Sequence, residues 1–133
     1  EYREHRDLKS CQPLFRTPRA VKRLANTYCL IRTGVEENYW DMFIGAGLWA
    51  DDPPEYRYPL LMLAVAAAYP ALAREHWFGR VIELKTWTPQ ISSPHPDWDA
   101  LMKALAEIDA QKFAPFNEGK IQYWLPLVKR YSF

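Results

Sequence analysis

The stretch Thr17-Pro18-Arg19-Ala20-Val21-Lys22-Arg23-Leu24-Ala25-Asn26-Thr27-Tyr28 decides how this chain folds. Thr17 is able to accept a hydrogen bond from a free N–H of a first helical turn, and Pro18 suits the first helical position. At about 100° per residue, Val21, Leu24, Ala25, Tyr28 and Ile31 fall on one face, and Arg19, Lys22, Arg23 and Asn26 on the opposite one. The pattern predicts a helix over Pro18 to Thr33 with Gly34 as its C-terminal cap. One face is suited to a core and the other to an anion.

Helical periodicity continues outward in both directions, and no internal repeat is evident. On the N-terminal side, Arg3 to Leu14 predicts a short surface helix ending near Pro13, joined by Phe15-Arg16-Thr17 to form a helical hairpin. On the C-terminal side, Asn38 to Leu48 suits a short helix or a loop, and Asp51-Asp52-Pro53-Pro54 a turn. Tyr58 to Tyr69 is apolar nearly all round, which predicts a central buried helix ended by Pro70. Ala71 to Leu84 predicts a helix with Leu72, Trp77, Val81 and Leu84 inward. Thr86 to Pro96 reads as a loop, with a strand conceivable only at Lys85 to Thr88. Asp97 to Ala110 and Asn117 to Tyr131 complete the set, Pro126 implying a kink or early break in the last helix. The expected fold is all-α, a compact bundle of five to seven helices. It forms one domain over residues 1–133, with the hairpin in 1–34 and the remaining bundle in 35–133.

A chain of 133 residues can bury a core without metals or disulfides. A net charge of +1 argues against a generic nucleic-acid binder. The distribution says more. Residues 1–32 hold eight Lys/Arg against three Asp/Glu, and residues 33–133 hold nine against thirteen, so the basic character is local to the front. Cys11 and Cys29 are expected as buried free thiols in a reduced compartment. No secretory signal is present, and the run Leu60 to Tyr69 is too short to span a bilayer. A cytoplasmic protein without membrane contact is expected. The first residue is Glu rather than Met, which suits a fragment of something longer.

Much familiar chemistry is absent. There is no phosphate loop of the Gly-x-x-x-x-Gly-Lys-Ser/Thr type, and Gly45-Ala46-Gly47 cannot supply a dinucleotide fingerprint. His5, His76 and His95 are scattered without ligand-spaced Cys or carboxylates, so neither metal nor cofactor is expected in this chain. His95, between two prolines, is expected in solvent. No serine or cysteine has an oriented base specified beside it, and enzymatic activity by this chain alone is not expected.

The basic face has several readings. It can be a solvated surface, although Arg19 in a first turn meets the positive end of the helix dipole and favours a nearby anion. Lys22 and Arg23 lack acidic neighbours at i±4, so the cations are unpaired within the helix. A short helix, a turn and a basic helix also suit a DNA-binding unit, with Arg19, Lys22, Arg23 and Asn26 toward a groove. A protein-interaction module anchored by Trp40, Trp49 or Trp87 is a further alternative.

Residues 17–32 resemble the Ser/Thr/Asn-Pro-Arg-x-hydrophobic-Lys-Arg-x-x-Asn signature of bacterial P-loop NTPases of the KAP/STAND-like, AAA+-related group. There the signature lies in the helical domain after the nucleotide-binding core. Tyr58 to Leu72 is similar to the apolar helix that follows, and Trp124 to Phe133 to the closing segment. The resemblance implies a C-terminal helical lid or effector-coupling domain in which Arg19 senses the nucleotide. Lys22, Arg23 and Asn26 would then face the core or another anionic partner. It further implies ATP and Mg in the parent protein, and as partner a nucleotide-binding core in the same or a neighbouring chain. Homo-oligomeric assembly and roles in antiphage defence or signalling belong to the same implication.

Overall fold

The computed structural model describes residues 2–50, 53–91 and 95–132, and throughout them the chain is helical, with no strand. The front consists of α1 (Tyr2–Ser10), a 3-10 turn at Gln12–Leu14 and α2 (Pro18–Thr33). A second 3-10 turn, Glu37–Tyr39, leads into α3 (Trp40–Ile44), and a third follows at Gly47–Trp49. Then come α4 (Arg57–Ala68), α5 (Pro70–Leu72), a π-helical turn at Ala73–Trp77 and α6 (Phe78–Leu84). The chain closes with α7 (Trp98–Ile108), α8 (Ala110–Phe113) and α9 (Glu118–Ser132). Residues 70–84 form one continuous rod, so the described residues make eight helical rods, slightly more than expected.

The α2 cap is as its sequence requires. Thr17 Oγ1 accepts from the Ala20 N–H at 3.0 Å, and Leu24, Tyr28 and Ile31 are buried. Gly34 follows as the C-cap, donating to the Ile31 carbonyl at 3.1 Å. At the centre lies α4, buried along nearly its whole length from Tyr58 to Ala68 and packed against both α2 and α9. Each of its leucines removed from water contributes about 1.5–3 kcal/mol, before the entropy of ordering it. In α9, Ile121, Trp124, Val128 and Ser132 form the inward stripe at intervals of three and four.

Local geometry departs from simple periodicity at four places. Leu72 and Trp77 are five residues apart, a spacing that an ordinary α-helix would put on different faces. The π turn brings residues five apart into line, and both are buried. Leu84 was expected inward but is 42 % exposed, because the rod ends there in left-handed Lys85 (φ 55°). Lys85 to Thr88 forms no strand: the Trp77 indole N–H donates to the Trp87 carbonyl at 3.1 Å, and the Trp87 indole N–H to the Ala114 carbonyl at 2.6 Å. Those bonds bind the segment to helices instead. Finally, α9 is not broken at Pro126. Both Pro126 and Gln122, whose carbonyl loses its intrahelical partner, are exposed, so water can take the place of the missing N–H.

One of two described glycines at positive φ, with Gly47 at 61°, is Gly45. It ends α3 at φ 73°, and a Cβ there would lie 3.1 Å from Pro54 Cγ. The expected turn at Asp51-Asp52 falls outside the described residues.

Candidate functional site

The four residues of the basic face all stand on the exposed side of α2. Arg19, Lys22 and Asn26 have no hydrogen-bond or ion-pair partner among the described residues, and the first turn of α2 carries no acid. The opposite side of the helix is held by Leu24, Tyr28 and Ile31. Arg19 and Lys22 are therefore presented from a fixed support near a positive helix end, where an anion gains about 0.3–1 kcal/mol.

Arg23, likewise exposed, has a partner outside its own helix. Its guanidinium donates to the backbone carbonyl of Ser132, so it is not unpaired. The bond caps the end of α9, where the last carbonyls lack intrahelical donors. Two more arginines act alike: Arg16 donates to the Ala68 carbonyl at 3.2 Å and covers the Tyr69 ring, and Arg57 donates to the Phe113 carbonyl at 3.2 Å. Helix periodicity could not reveal this, because each acceptor comes from a distant part of the chain. The last turn of α9 also carries exposed Lys129 and Arg130.

Among the described residues three carboxylates are buried, each met by a tyrosine and at least one cation. Glu4 accepts from the Tyr28 hydroxyl and from Arg32 Nε at 3.0 and 3.1 Å. Asp7 accepts from the Tyr56 hydroxyl at 2.5 Å and from Arg57 Nε at 2.8 Å. Glu55 accepts from the Tyr39 hydroxyl and pairs with Lys120 Nζ at 3.7 Å. Burial, then the bond to the carboxylate, pushes the Tyr28, Tyr39 and Tyr56 phenols upward, and the bond to Glu4 raises the Arg32 guanidinium. These phenols are fixed as donors. The three groups cross-link α1 to α2 and α4, and the α3 region to α4 and α9, so they hold the support of the basic face rather than react. One signal was present in the sequence: Glu4 and Asp7 share a helical stripe with Cys11, an apolar neighbour.

The remaining expectations divide. Trp87 is buried in the core and cannot anchor a partner, Trp40 is half-covered with Arg32 above its ring at 4.7 Å, and Trp49 stands exposed at a turn. Cys11 is buried, but Cys29 is exposed beside the apolar face of α2. His95 is not simply in solvent: its Nδ1 accepts from the Asp97 N–H at 3.2 Å and its ring lies 5.8 Å from that of His76. Among the described residues no three His, Cys, Asp or Glu side chains converge as a metal site, and no helix is long and apolar enough to cross a membrane. Comparison of the chain with protein-family models, with curated proteins and with solved structures found no match.

Proposed function

We propose that this chain is a helical module that meets an anionic partner through α2, with Arg19 as its leading contact. In its specific form, the module is the lid or effector-coupling domain of a P-loop NTPase. Arg19 reaches phosphate oxygens of ATP held with Mg in a separate core, and the bundle relays nucleotide state to assembly or to an effector. One observation carries the reading: among the described residues Arg19 and Lys22 lack protein partners, on the outer side of a helix whose inner side is fixed in the core. The resemblance of residues 17–32 adds the nucleotide. A guanidinium can grip two phosphate oxygens at once, a geometry that lysine cannot reproduce. Arg23, already bonded to Ser132, supports the module's own structure and contributes only its field.

The test is Arg19→Ala and Arg19→Lys in the full-length protein, with nucleotide turnover and nucleotide-driven assembly measured together. A loss of at least ~10-fold in either, not restored by lysine, is expected from a bidentate phosphate contact. Unchanged turnover, nucleotide affinity and assembly would overturn the reading. The exposed Asn26 beside Lys22 keeps DNA as a second candidate partner. For DNA, duplex affinity of the chain falls steeply with salt and is lost on replacing Arg19 and Lys22.

A further inference from the structure

A groove of about 190 Å³ runs along the seam between the C-terminal half of α2, the turn after it, and α9. Four aromatic side chains line it: Tyr39, Tyr123, Trp124 and Tyr131. Leu30 and Tyr123 stand at its edges with 53 % and 56 % of their surface exposed, unusual for large apolar side chains in a bundle this well packed. The single charged lining residue is Glu36, exposed and without a hydrogen-bond or ion-pair partner among the described residues. Among the described residues no lysine, arginine or histidine lines the groove.

The aromatic wall is ordered. Tyr39 and Tyr123 stack with ring centroids 5.6 Å apart and an interplanar angle of 11°, and Trp124 meets both edge-on, at 6.1 and 5.0 Å. The Tyr39 hydroxyl donates to the Glu55 carboxylate, which leaves its ring richer in electrons and fixes its orientation. Aromatic faces attract cations through their quadrupoles, and the attraction is strongest for weakly hydrated alkylated ammonium groups that also gain from apolar contact. A carboxylate at the rim adds charge of the right sign. Size narrows the class further. The groove is smaller than the ~300–1,000 Å³ typical of sites for drug-sized ligands, so it suits one headgroup rather than a nucleotide.

We propose that the groove formed by Tyr39, Tyr123, Trp124, Tyr131 and Glu36 binds the trimethylammonium group of a small free molecule of the choline type. The site is separate from the outer face of Arg19 and Lys22, and the proposal is independent of the NTPase reading. It uses the C-terminal end of α2, where the surface is aromatic and acidic rather than basic.

The experiment titrates choline, and in parallel its neutral carbon isostere 3,3-dimethylbutan-1-ol, into the ¹⁵N-labelled chain while following the indole N–H resonance of Trp124. Choline is expected to shift that resonance saturably and to bind at least ~10-fold more tightly than the isostere, a difference of about 1.4 kcal/mol. Tyr123→Leu and Glu36→Gln, both at exposed positions, should each weaken choline by ~3-fold or more while leaving the rest of the spectrum in place. Glu37→Gln, on the adjacent carboxylate outside the groove, should change nothing. Equal binding of choline and its isostere would overturn the proposal, since the groove would then be merely apolar. No saturable shift with choline would overturn it too, as would a response confined to trimethyllysine within a peptide.

Discussion

Tyr56 shows how single side chains make this interior tolerate acids. Its hydroxyl and the Arg57 guanidinium together satisfy the buried Asp7 carboxylate. Removing the phenol oxygen leaves one lone-pair direction of a buried charge unmet, which costs about 1–3 kcal/mol. Tyr56→Phe should therefore lower unfolding free energy by that amount in urea titration, with the slope of the transition unchanged. Tyr123→Phe, whose ring is half-exposed and whose hydroxyl has no partner among the described residues, should change it by less than about 0.5 kcal/mol. Arg3 to Leu14 was expected as a surface helix; the stripe that Glu4 and Asp7 share with Cys11 was a cue to their burial, but no spacing points to their partners. Tyr28, Arg32, Tyr56 and Arg57 join them only through the fold. The exposure of Arg19, Lys22 and Asn26 was legible because a capped amphipathic helix dictates its own outer face. The bond that removes Arg23 from that group was not, since Ser132 lies 109 positions away.

At the scale of elements, helices with caps and strong periodicity were readable, and those shaped by tertiary demands were not. α2 begins at Pro18 and ends at Thr33 because Thr17 and Gly34 bound it locally. The rod over 70–84 carries a π turn because Leu72 and Trp77 must both reach the core, a requirement visible only after packing. α9 differs again. Proline in a helix interior costs on the order of 3 kcal/mol through its lost N–H and its ring, yet the helix continues through Pro126 to Ser132. The apolar stripe of Ile121, Trp124 and Val128 outweighs that cost. Pro126→Ala, at an exposed position, should raise the thermal midpoint, corresponding to about 1–3 kcal/mol of added stability. Calorimetry of the two chains checks it; a lower midpoint would mean that the proline fits a local geometry that alanine loses.

For the molecule as a whole, stability should fall as pH rises on the alkaline side. Burial, then the nearby Asp7, pushes the Cys11 thiol up to about 12, and burial, then Glu55, pushes the Tyr58 phenol up to about 12. In an unfolded chain such groups ionise near ~8.5 and ~10. Between those values and about 12 the unfolded state releases protons that the folded state retains, so unfolding is favoured as pH rises. Their stabilisation is fully present below pH ~8.5 and is lost progressively up to about 12. Urea midpoints measured from pH 7 to 11 should stay flat at first and then decline. Cys11→Ala should move the onset of the decline upward by about one unit, because the thiol is the first group to ionise. An unchanged onset would mean that the thiol is not shielded as its burial implies.

The bond from Arg23 to Ser132, together with the packing of α4 against both α2 and α9, has a consequence for how the protein is made. A ribosome releases α2 and α4 well before it has synthesised α9. Throughout that interval the side of α4 that α9 will cover stays bare, and the carbonyl that Arg23 will grip does not yet exist. The nascent chain is thus most vulnerable to aggregation in the interval before α9 emerges, when a chaperone would need to shelter residues 58–68.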